Sequence, residues 1–189
     1  GMAMFLLVIG HHVLNRRWMG NITRGKYTVH RILQTVIVIL LALTMIGSMV
    51  SGILLSNYIF RFVRIKGVTN LARSIYILCA YWGFLFMAVH LGLHWNMMLR
   101  ILEKVFPMKG VAKIPGLLIA VYGGYAFYKR GIVNYLFLKS HFVFFGPQES
   151  LGLFLPDYIA MMGMIVFVTY YGDRLLFGDK GIIWHIWRR

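Results

Sequence analysis

ILQTVIVILLALTMIGSMVSGILLS, residues 32–56, is the stretch that decides the fold class. It holds no charged side chain. A helix needs about 20 predominantly apolar residues to cross a bilayer, and this run exceeds that. The rest of the chain agrees with it. Of the 189 residues, 60% are apolar and 13% charged. A soluble domain carries about 45–50% apolar and 25% charged residues. The expected fold is therefore all-α: an integral membrane helical bundle of about four to five spans in one domain, residues 1–189. Its core bundle is expected at about 1–130, with an interfacial helix and a last span in 131–189.

Moving outward, residues 2–15 are apolar but short for a full span. They read as the surviving half of a longer hairpin, or as a chain whose start lies upstream. No basic leader precedes them and no small-residue cleavage site follows, unlike a signal peptide. A third span is expected at about 74–98 and a barely sufficient fourth at about 114–128. GIVNYLFLKSHFVFF at 131–145 reads as an interfacial helix and GPQES at 146–150 as a turn. A last span is expected at about 158–177, and the terminal WHIWRR reads as an interfacial anchor.

The net charge is +15. The Lys and Arg sit mostly between apolar runs, which is topology-setting charge and not a nucleic-acid face. The 16–31 loop carries five basic residues and the 99–113 loop four with one acid. Both fall on one side, with the tail joining them if every segment spans, and the bias marks that side as cytoplasmic. The 57–73 loop, with four basic residues, falls opposite. Cys79 is the one cysteine, so no intrachain disulfide forms, and a small buried residue is its plain reading. Gly47, Ser48, Ser51 and Gly52 are small residues four apart in pairs. Helix packing accounts for them better than room for a flat cofactor.

The seven histidines carry the chemistry. Ionisable side chains inside a span are costly, so each is a candidate for function. His12 lies four residues inside Arg16, roughly 6 Å, and His94 six residues inside Arg100, roughly 9 Å. The two thus sit at similar depth on elements that can be neighbours. Two imidazoles at one depth suit axial ligation of one haem iron. His90 shares a helix face with His94 at i, i+4, and Gly83 leaves room two turns earlier on that stripe. His11 and His12 differ by about 100° around their helix, so one of them points into a given site. Asn15 is placed to hold the second nitrogen of one ring. The candidate cofactor residues are therefore His11, His12, His90, His94 and Asn15, with the four histidines as axial candidates. His30, His141 and His185 fit an interfacial, hydrogen-bonded role, and His30 stays a lesser ligand candidate. A separation of four residues, about 6 Å, is too short for two stacked macrocycles, so these residues support one haem.

HHVLNRRW at 11–18, HLGLHWNMM at 90–98 and FYKRGIVNYLFLKSHFVFF at 127–145 resemble the DUF4405 family, the flavinylation-associated cytochromes of prokaryotic membranes. That family is similar to the b-type cytochrome subunits of formate dehydrogenases and hydrogenases. The resemblance, strongest over 2–100, implies haem b, with His11 or His12, His90 and His94 as ligand candidates. It implies electron transfer with a flavin-carrying (FMN) extracytoplasmic protein, with a quinone as another redox partner, in a prokaryotic cell membrane. It makes an electron-transfer subunit a better expectation than a stand-alone catalyst. Two alternatives remain. One is a membrane enzyme binding a non-haem metal through the histidines. Only Glu103 is expected near them to serve such a metal. The other is a transporter or scaffold with a histidine proton relay, which the lack of buried acids disfavours.

Overall fold

The computed structural model describes residues 2–22, 28–56, 68–105, 113–140 and 151–177. Every regular element among them is a helix. They are α1 (Met2–Leu14), α2 (Arg16–Gly20), α3 (Val29–Leu55), α4 (Val68–Leu93), α5 (Trp95–Val105), α6 (Lys113–Lys129), α7 (Ile132–Leu136) and α8 (Leu151–Phe177). Three of them, Val29–Leu55, Thr69–Leu93 and Phe154–Phe177, are long and apolar enough to cross a membrane.

The apolar surface is turned outward. Val36, Ile39, Leu43, Ile46 and Val50 project from α3 into the surroundings. In water such a stripe would be a large exposed patch, whereas lipid solvates it at no cost. The buried positions are small by comparison: Ala72, Ala88, Ala120, Ala126 and Ala160. Small residues let helix backbones approach, which is how helices associate when lipid is as apolar as their side chains.

Packing directions follow from these close approaches. Gly52 faces Tyr76, Gly47 faces Cys79 and Gly83 faces Thr44, so α3 and α4 run antiparallel. The small residues of α3 thus serve helix packing. Gly83 differs from its expectation: Thr44 fills the space beside it, and no room is left there for a macrocycle. Gly116 faces Phe167 and Gly123 meets the Ala160 carbonyl, so α6 runs antiparallel to α8. Phe84 stacks edge-on against Tyr158 and Gly92 faces Thr169, so α4 and α8 run parallel. The chain must therefore return between them, and α6 does so. Its 17 residues cover about 26 Å.

The bundle has two distinct ends. One gathers the N-terminus of α3, the C-termini of α4 and α8, and α5. The other holds a core of Ala126, Ile132, Leu136 and Met161, with Tyr81, Trp82, Phe84, Phe127 and Tyr158 packed on it. Trp82 Nε1 donates to the Leu136 carbonyl at 3.0 Å, which ties α7 to α4.

Three sequence-based boundaries need correction. The third apolar run is two helices broken at His94, not one span to residue 98. The interfacial helix over 131–145 is a single turn of helix over Ile132–Leu136 followed by turns to residue 139; residues 141–145 and the GPQES segment lie outside the described residues. The last helix starts at Leu151 and not near 158.

Candidate histidine site

Three helices and the break between α4 and α5 bring histidines toward one end of the bundle. His90 lies in the last turn of α4, and His94 occupies the break before α5. Their rings meet edge to face with centroids 4.7 Å apart. His11, in the last turn of α1, lies within electrostatic reach of His90. His30, in the first turn of α3, lies within electrostatic reach of His94. Thr28 caps that helix, accepting from the Arg31 N–H at 3.4 Å.

The histidine pair on α1 is exposed. The His12 Nδ1–H donates to the Val8 carbonyl at 2.8 Å. That bond fixes the tautomer and leaves the Nε2 lone pair bare, the state a metal-ligating imidazole needs. The Asn15 amide donates to the His11 carbonyl at 2.8 Å and approaches His11 Nε2 at 3.4 Å. Asn15 thus sits beside His11, and its stronger bond is to the backbone. The described side chains of α1 are all exposed or half-buried, and α1 packs chiefly on α2.

His30 is buried at 3% exposure, and its Nδ1 lies 2.8 Å from Asp173 Oδ1. The Phe177 ring closes on it edge to face, with centroids 5.3 Å apart. A carboxylate partner accounts for the burial of His30 without a cofactor. Asp173 also revises the expectation that Glu103 alone would approach the histidines. Other polar atoms at this end are buried without a partner: His30 Nε2, Gln34 Nε2 on the next turn of α3, and His90 Nδ1 on α4. Buried polar atoms normally find a partner, so these three set this end apart from the rest of the apolar bundle. Among the described residues, no three His, Cys, Asp or Glu side chains converge as a bare metal centre would need.

Asp157 was missed by sequence reasoning. It is 1% exposed, at the bundle end away from the histidines. The Tyr122 hydroxyl donates to Oδ1 at 2.6 Å, and Arg130 Nε and Nη2 each reach Oδ2 at 2.8 Å. Lys129 stands 3.4 Å away with its side chain about half exposed. The expected lack of buried acids is therefore wrong. His141 and His185 lie outside the described residues.

No protein-family model matches the chain, and no curated protein or solved structure matches it. The resemblance to flavinylation-associated cytochromes rests on the quoted motifs alone.

Proposed function

We propose that this chain is a multi-pass membrane electron carrier of the b-type cytochrome kind, holding one haem at the histidine end. The observation that carries the reading is the His90–His94 pair, with ring centroids 4.7 Å apart at one end of an apolar bundle, and His11 of α1 within electrostatic reach of His90. The donor chemistry fits the group. His90 and His94, with centroids 4.7 Å apart, leave no space for a macrocycle between them. One of them therefore pairs with an imidazole of α1: His11 by position, or His12 by its bare Nε2. The described side chains of α1 around those residues are exposed or half-buried. When bound, the haem supplies a one-electron centre in a low-dielectric setting, tuned by its axial ligands and their hydrogen bonds. A flavin-carrying extracytoplasmic protein or a quinone would exchange electrons with it, as the motif resemblance suggests. In the same reading α6 is a fourth span, and the end carrying α2 and α5 is cytoplasmic by its basic residues.

Haem content of purified variants, with haem supplied during expression, tests the assignment. His94→Ala is expected to lower it at least about tenfold, because changes around a metal ligand already cost about 10–100-fold in affinity. His185→Ala is expected to leave it unchanged. Equal haem in both variants would sink the proposal.

A second reading, a proton-handling transporter, gains from the buried His30–Asp173 pair and from Asp157. Intramembrane acids paired with histidine are the parts a proton relay uses. The bare-metal enzyme loses ground, because among the described residues no three such ligands converge.

A further inference from the structure

The helix α5 follows a membrane-crossing helix after a one-residue break at His94. At the break the His94 N–H is shared between the His90 and Leu91 carbonyls, at 3.2 Å each, and the Met97 N–H bonds His94 O at 3.0 Å. The bonds to the Leu91 carbonyl and from the Met97 N–H are of the tighter i→i−3 kind, while those from His94 to His90 and from the Met98 N–H to His94 O, at 3.4 Å, keep α-helical spacing across the break. The sequence of α5, WNMMLRILEKV, is strongly amphipathic around the helix. At 100° per residue, Trp95, Met98, Leu99 and Ile101 fall on one side, and Asn96, Arg100, Glu103 and Lys104 on the other, with Met97 at the boundary beside Lys104.

The apolar side is not used up by the bundle. Met98 is 43% and Ile101 55% exposed, although both lie beside the mouth of the membrane-crossing helices. Arg100 and Lys104 are exposed on the polar side at i, i+4 spacing. Arg16 and Arg17 of α2 are also exposed, and Arg31, which donates to the Asn21 carbonyl at 2.7 Å, fixes the α2 end beside α3. Of the acids at this end, Asp173 is engaged by His30, and Glu103 belongs to α5 itself, where Arg100 and Lys104 outnumber it. A helix with an apolar side and a basic side, placed where a span ends, matches the boundary between acyl chains and anionic headgroups.

We propose that α5 lies in the plane of the membrane surface and docks anionic phospholipid, with Arg100 and Lys104 on the headgroup phosphates and Met98 and Ile101 in the acyl layer. The basic side selects phosphatidylglycerol-type over zwitterionic lipid, each Lys or Arg near the surface adding about 1 kcal/mol, or roughly fivefold, to the attraction. The inference does not depend on the haem reading.

Two measurements test it on the full chain. In nanodiscs, the protein is expected to unfold at higher temperature in phosphatidylglycerol than in phosphatidylcholine, and R100Q/K104Q is expected to lose at least half of that difference. A difference retained in full would overturn the lipid site, as would a parent protein indifferent to the two lipids. Independently, spin labels on single cysteines at positions 96–104, in a Cys79→Ala background, report depth. Oxygen contact is expected to peak at 98 and 101, and contact with a water-soluble nickel chelate at 96, 100 and 104. A pattern without that helical period, or with its phases reversed, would overturn the placement even if the charge variant fails to fold.

Discussion

At the scale of single residues, the two buried acids separate what a sequence displays from what a fold creates. The histidines stand out because a titratable group in an apolar run is costly wherever the run ends up. Asp157 and Asp173 stand at the ends of a run and look like ordinary boundary charges. Their meaning comes from partners far along the chain: Tyr122 and Arg130 for Asp157, and His30 for Asp173. Asp157→Ala would leave Arg130 in an apolar setting facing no carboxylate. The expected loss is about 3 kcal/mol, since breaking a buried pair strands the other charge. Lys129→Ala is expected to change stability by under about 1 kcal/mol, because its side chain is about half exposed and its contact with the carboxylate is long, at 3.4 Å. Thermal unfolding in detergent compares the two, and equal losses would mean that the carboxylate is not the keystone described.

Among the elements, helix existence was legible and helix ends less so. Residues 2–15 and 114–128 were expected as apolar segments and emerge as Met2–Leu14 and Lys113–Lys129. The break at His94 was not, because apolar side chains continue through it and hydropathy does not register a local change of hydrogen bonding. For the same reason α5 read as a short basic loop. Gly83 shows the other limit: an absent side chain is visible in sequence, but what fills the space is not. At the α6–α8 crossing the space is filled by backbone. A Cβ at Gly123 would run into the Ala160 carbonyl, so Gly123→Ala is expected to cost about 1–3 kcal/mol by overpacking. At Gly10 nothing lies within 4 Å, so Gly10→Ala is expected to be neutral or to gain up to about 1 kcal/mol in helix propensity. Melting temperatures moving together in the two variants would contradict this packing.

For the whole molecule, the parallel run of α4 and α8 is the organising fact, because it obliges α6 to carry the chain back. Loop-charge counting had already put the 16–31 and 99–113 segments on one side, and α2, α5 and the α3 N-terminus do share one end. In a Cys79→Ala background, cysteines at Asn96 and Lys139 flank α6 and are expected to label from opposite faces of sealed vesicles. Labelling from one face would mean that α6 does not cross. What sequence could not supply is how α1 sits against the bundle, and with it the choice between His11 and His12, since α1 packs chiefly on its neighbour α2. The most direct test of the central reading is optical. The full chain, purified in mild detergent after expression with haem supplied, is oxidised and then reduced with dithionite. A sharp α band of a low-spin b-type haem in the difference spectrum is the predicted result. A flat difference spectrum would contradict the electron-carrier reading and leave the histidines to proton chemistry.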